Sequence, residues 1–217
     1  MNELGNIYLV WRKSKGERRH KVGMVRRNST QGVRFHYLVK WDEAARLGFT
    51  PYTDFPDLTK EYSENVLDIF GQRLTKSERG DIQRYYDFWE IEHEHKEDKY
   101  YLLSHTQGLL ATDNFEFLAD FSPVKGLSFI SEICGFSHNQ VSSEVLKEED
   151  ELQWEYDGQN EYDKKAIKVF KQATFLGYVK IVHSGVFYKA GGINLKIKVK
   201  SIDCNGFLNR VFIKIYK

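Results

Sequence analysis

From residue 195 to residue 200 the chain reads Leu-Lys-Ile-Lys-Val-Lys, with apolar and lysine side chains in strict alternation. A helix would scatter those lysines around its circumference, whereas a strand sets the apolar groups on one face and the lysines on the other. Five more β-rich runs flank it, at residues 129–133, 152–156, 166–170, 175–179 and 210–216, joined by polar or glycine-bearing turns. Half-buried strands in that number need a partner for every apolar face and every edge. A small closed barrel supplies both. The expectation for the last ninety residues is an all-β, six-stranded barrel, with one short helix after His183-Ser184.

The first 120 residues follow a different pattern and read as α+β. Residues 7–10 and 21–25 have strand character on either side of a polar, glycine-containing hairpin at 13–20, and residues 33–40 extend the sheet. A short helix is expected at 42–47, ended by Gly48. Apolar residues at helical intervals, Val66, Leu67, Phe70 and Leu74, then Ile82, Tyr85, Tyr86 and Trp89, mark two amphipathic helices over 63–74 and 77–89. The charged run 90–99 reads as a loop or frayed helix end, and residues 100–103 and 114–117 as strands. Pro123 and Gly126 mark a boundary, so the expected domains are 1–121 and 127–217.

Charge is distributed unevenly. Residues 1–50 carry 11 Lys/Arg against 4 Asp/Glu, residues 148–163 carry 8 acids and no base, and residues 164–217 carry 12 bases against Asp203. Basic ends suit a polyanion such as nucleic acid, because clustered Lys/Arg release counterions from phosphates. The other reading is the solvated lysine face of a sheet. No run approaches the roughly 20 apolar residues of a membrane span, and residues 1–10 lack the basic and apolar regions of a signal peptide. A cytoplasmic protein with no membrane partner is expected. Cys134 and Cys204 stand apart with no CxxC spacing and read as buried, reduced residues. His93 and His95 lack further ligands at a defined spacing, so no metal and no cofactor is assigned. There is no G-x-S-x-G, Walker loop or HExxH. The chain reads as a binding protein, not an enzyme.

The segment Asn160-Glu161-Tyr162-Asp163-Lys164-Lys165-Ala166-Ile167-Lys168-Val169, followed by Gly177-Tyr178-Val179, resembles the signature of the HIRAN family, N-x-Y-D-x-x-A-I-x-V and then G-Y-[VL]. Residues 129–138, with Cys134-Gly135-Phe136, resemble that family's first strand and following turn. The resemblance implies an OB-like six-stranded barrel, a module found fused to Swi/Snf-type translocases and in many bacterial proteins. In fork-remodelling members it captures free 3′ ends of single-stranded DNA, which implies roles in DNA repair or foreign-DNA defence. Carried to this chain, it makes Tyr162 a base-stacking ring and Asp163 the acceptor of a 3′-hydroxyl. His138 takes the place of a second stacking aromatic. Lys180 becomes a phosphate contact, and Asn160 and Lys164 belong to the same DNA-binding site. Three positions depart from the family pattern: Glu161 replaces the proline of N-P-Y-D, Lys180 stands where many relatives have proline, and His138 is an imidazole. Each residue also has a plain reading. Asn160 and Asp163 suit Asx-type turns, Tyr162 suits the core at a barrel end, and Trp154 and Tyr156 suit core and rim.

Residues 1–121 more weakly resemble the small N-terminal subdomain of HipA-type toxin kinases, through Phe35-His36-Tyr37, Phe55-Pro56-Asp57, residues 66–73 and 77–82. No kinase motif accompanies them, so Arg73 and Arg79 read as surface or fold-supporting residues. This resemblance implies a protein partner for the N-terminal region, and with it an alternative function: a non-catalytic interaction subunit regulating a HipA-type kinase or similar protein.

Overall fold

The computed structural model describes residues 3–135, 141–189 and 194–217. The chain divides into two compact units, Leu4–Asp120 and a second formed by Phe121–Lys217 with Glu3.

Leu4–Asp120 is built on a five-stranded sheet of order β4-β3-β2-β1-β5. Strand β1 (Leu4–Trp11) pairs antiparallel with β2 (His20–Asn28), β2 with β3 (Gly32–Tyr37), and β3 with the two-residue β4 (Glu61–Tyr62); β5 (Phe115–Phe121) lies on the other side of β1. Helices α1 (Trp41–Ala45), α2 (Val66–Gly71), α3 (Ile82–Trp89) and α4 (Lys99–Thr106) connect the strands. An aromatic cluster forms the core: Phe35 lies 4.9 Å from Tyr37 and 5.1 Å from both Phe55 and Phe70, and Phe70 lies 4.8 Å from Phe117. Arg73 is a buried strut. Its guanidinium holds both Asp113 carboxylate oxygens, at 2.5 and 2.8 Å, and donates to the carbonyls of Gly108 and Phe115.

Residues 100–103, expected as a strand, are helical. The Asp98 carboxylate accepts from the amides of Tyr100 and Tyr101 and caps α4 at its N-terminus. Every residue from Tyr100 to Thr106 is buried, so the sequence shows no polar face from which a helical period can be read.

In the second unit the six expected strands form a closed antiparallel barrel. Around its circumference run β10 (Lys196–Cys204), β11 (Leu208–Tyr216), β6 (Ser128–Cys134), β9 (Thr174–Val179), β8 (Ala166–Lys171) and β7 (Glu151–Asp157), which returns to β10. Helix α5 (Gly185–Lys189) is the short helix after His183-Ser184. The inward alternation is strict: Ile197 and Val199 of β10 and Val211, Ile213 and Ile215 of β11 are buried. Long ladders join β10 to β11 and β11 to β6, and likewise β7 to β8 and β8 to β9. Two short seams close the ring. Ile133 and Cys134 face Val179 and Tyr178 on one side, and Ile197 and Lys198 face Leu152 and Glu151 on the other. Cys134 is half-buried and Cys204 exposed, unlike the buried pair expected. Cys204 ends β10 at an irregularity in the ladder, past the last enclosed position.

Candidate nucleic-acid interface

The N-x-Y-D segment is the loop between β7 and β8, and backbone hydrogen bonds fix its shape. The Asn160 Oδ1 accepts from the amides of Tyr162 and Asp163, both at 3.0 Å. One turn later the Asp163 Oδ1 accepts from the amide of Lys165 at 2.9 Å, and the Asp163 carbonyl accepts from Ala166 at 3.0 Å. Two Asx turns thus follow one another and deliver the chain into β8, where Ala166, Ile167 and Val169 enter the core. Asn160 has the structural role. Tyr162 does not belong to the core: it is 69% exposed.

The loop is tied to the barrel through Asp157. Its Oδ2 accepts from Tyr178 Oη at 3.1 Å and Asn160 Nδ2 at 3.4 Å, and lies 3.5 Å from Lys168 Nζ. Loss of hydration works against the charge, but the hydrogen bonds from Tyr178 and Asn160 and the Lys168 ammonium hold this carboxyl below the usual range. The second motif, Gly177-Tyr178-Val179, therefore supplies an anchor for the first. Gly177 also lets β9 approach β6. It has φ +142°, and a Cβ there would lie 2.2 Å from the Cys134 carbonyl oxygen.

Beside the loop lies an aromatic ledge that the sequence reading left out. Tyr156 is 44% exposed, and its ring lies 4.7 Å from that of Tyr188 on α5. The Tyr156 hydroxyl donates to the Phe187 carbonyl at 3.0 Å, and the Tyr188 hydroxyl to the Lys164 carbonyl at 3.3 Å. Behind them Trp154 packs on Phe187 at 4.7 Å and donates from Nε1 to the Leu195 carbonyl. Burial, then the nearby Asp163 carboxylate, push the Tyr188 phenol up, so it remains a neutral donor. Tyr156 was expected at the rim, but nothing local pairs it with Tyr188, 32 positions later. The pairing exists only once α5 is laid against the end of β7.

The structure brings Asn160, Tyr162, Asp163 and Lys164 together on this loop, with Lys164 exposed and Asp163 partly so. Lys180 is elsewhere and corrects the expectation of a phosphate contact. Its side chain is 0% exposed and its ammonium lies 3.0 Å from Glu132, whose other oxygen receives Arg210 Nε at 3.1 Å. An enclosed ammonium committed to a carboxylate does not reach a phosphate in solvent. His138 lies outside the described residues.

The charge asymmetry also resolves differently in space. The acidic strand β7 and the turn before it lie between β8 and β10, and the lysines of those strands meet its acids. Lys171 lies 2.9 Å from Asp150, Lys168 pairs with Asp157, and Lys198 with Glu149. At least three of the twelve bases after residue 163 are thus paired with acids of the run before it. In the other unit, ligand atoms of Glu92, Glu94 and His95 lie within 4.8 Å of one another, Glu92 and Glu94 exposed and His95 partly so. His93 is not part of that group. Among the described residues, no helix is long and apolar enough to cross a membrane.

No family model matches the chain, and no curated protein matches it. Solved structures that align with part of it include the HIRAN domain of human HLTF, at 19% identity over 41% of this chain and 74% of that one, with a TM-score of 0.34. A protein from Lactobacillus plantarum aligns at 17% identity over 43% of this chain and 96% of its own, with a TM-score of 0.32. No match supports the resemblance of residues 1–121 to the HipA-type subdomain.

Proposed function

We propose that residues 127–217 are a HIRAN-type module that binds single-stranded DNA at a free 3′-hydroxyl end. One observation carries this reading: two consecutive Asx turns hold the loop in a set shape, with the Tyr162 ring exposed and the Asp163 carboxylate next to it. An exposed aromatic ring offers a face for a base, and base–aromatic stacking is worth about 1–3 kcal/mol. A carboxylate has about four acceptor positions. The Lys165 amide engages one oxygen of Asp163, which leaves capacity for the 3′-hydroxyl of a terminal deoxyribose. An internal phosphodiester offers no such donor and adds a like charge. Tyr156 and Tyr188 extend the apolar surface, and Lys164 supplies an exposed cation for the terminal phosphodiester.

The test is fluorescence anisotropy with one oligonucleotide ending in either a 3′-hydroxyl or a 3′-phosphate. The hydroxyl end binds more tightly, and Tyr162→Ala lowers that affinity by about 1–3 kcal/mol with little change in melting temperature. Equal affinities for the two ends would refute end reading. A melting temperature that collapses together with binding would place Tyr162 in the fold.

A further inference from the structure

The β1–β2 hairpin carries a run of cations of which Arg12, Lys13 and Lys15 take no part in the ion pairs described for Leu4–Asp120. Arg26 and Arg34 share Glu61, Arg27 meets Asp98 at 2.6 Å, Lys99 meets Asp68 at 2.7 Å, and Arg73 meets Asp113. Residues 12–21 instead hold six Lys/Arg and one acid, Glu17. Lys13, Lys15, Arg18 and Lys21 are exposed, and Arg12 partly so. Among the described residues no carboxylate lies within ion-pair distance of Arg12, Lys13 or Lys15. So many like charges at one tip repel one another and attract a polyanion.

The hairpin has a firm base and a projecting tip. Trp11 pairs with His20 across the strands and packs against Phe49 at 5.7 Å. The Arg12 amide donates to the Asn114 carbonyl, the Asn114 side chain donates to the Lys13 carbonyl, and Arg19 is held by Glu116. At the tip the Glu17 amide donates to the Ser14 carbonyl at 3.2 Å, and Gly16 has φ +91°. That positive φ suits the third position of a tight turn and sets Lys15 at its apex. The result is a two-stranded ribbon whose cations flank a small polar turn.

We infer that this hairpin is a second nucleic-acid contact, a grip on the phosphodiester backbone that needs no strand end. A two-stranded ribbon is of a size that B-form DNA admits into its major groove, and flexible exposed lysines suit phosphates along its walls. A lipid surface fits less well, because residues 12–19 contain no apolar side chain to insert. The contact is independent of the barrel: Lys13, Lys15, Arg18 and Lys21 are exposed, whereas Lys168, Lys171 and Lys198 of the barrel are already paired.

The probe is a covalently closed dumbbell duplex, which has no strand ends and so reports on this contact whatever the barrel reads. The full chain binds it with a steep salt dependence. In the triple variant Lys13→Ser, Lys15→Ser, Arg18→Ser the slope of log affinity against log salt falls by about 2.7, so the affinity lost between about 50 and 200 mM salt shrinks by about 40-fold. Thermal melting by circular dichroism verifies that the variant is folded. Lys15→Glu, a single change at the apex, weakens binding in the same direction and serves should the triple variant misfold. The inference is overturned if the full chain does not bind the dumbbell, or if the substitutions leave slope and affinity unchanged. It is equally overturned if they abolish binding to phosphatidylserine-containing vesicles and not to DNA.

Discussion

Replacing Gly177 by alanine should loosen the barrel where β9 meets β6. The new Cβ would sit 2.2 Å from the Cys134 carbonyl oxygen and 2.9 Å from Ile133 Cγ2, more than 1 Å inside ordinary contact with the oxygen. Neither atom belongs to a flexible chain end, so relief requires β6 to retreat. The seam it would retreat from is two residue pairs long. A non-glycine residue at φ +142° adds about 1–3 kcal/mol of backbone strain, and forced overpacking adds about 1–3 kcal/mol more. At about 4–8 °C per kcal/mol for a unit of this size, the barrel should melt at least about 10 °C lower. Melting is followed by circular dichroism, with hydrogen exchange to localise the loss to β6 and β9. Gly158→Ala is the control, since a Cβ at Gly158 meets nothing within 4 Å. Melting temperatures for Gly177→Ala and Gly158→Ala that match wild type would refute the argument from close approach.

Two further outcomes follow from single residues. Asn160→Ala removes the acceptor for two amides and should cost about 1–2 kcal/mol while weakening DNA binding by more than the fold loses; binding that tracks stability alone would count against a shaped loop. His105, buried and stacked on Tyr101 at 3.9 Å, has its pKa lowered to about 4 by burial. Its folded pKa lies below the unfolded one, so the unfolded chain takes up the proton first, and stability is lost as pH falls from about 6.5 to about 4, by up to about 3 kcal/mol. His105→Phe should flatten that acid limb in melts at neutral and acidic pH, and an unchanged limb would clear His105 of the role.

What the sequence disclosed was what is local in period or spacing. The Lys-Ile-Lys-Val-Lys alternation of β10 depends on a two-residue repeat alone, and the barrel followed from counting such runs. The Asn160 turn was also legible, because an Asx turn closes over two or three residues. Helix α4 was misread because its surroundings are apolar on all sides and erase the period. Lys180 was placed in solvent because its partner Glu132 comes from another strand. Lys168, Lys171 and Lys198 looked available for phosphate only until the barrel order set β7 between β8 and β10. Each error concerns a partner remote in the chain, where composition and spacing carry no information about distance.

The bonds that shape the β7–β8 loop draw on the amides of residues 160, 162, 163, 165 and 166, and none comes from residue 161. A proline at that position, as in the N-P-Y-D form, removes a donor the turn does not use. Glutamate fits equally well. Position 161 thus contributes no amide bond to the architecture beside it, and its side chain is exposed next to Tyr162 in the chain. In an evolving lineage, such a position can alter the charge a ligand meets while the scaffold stays fixed. In the laboratory it is the residue to vary first when retuning affinity without disturbing the fold.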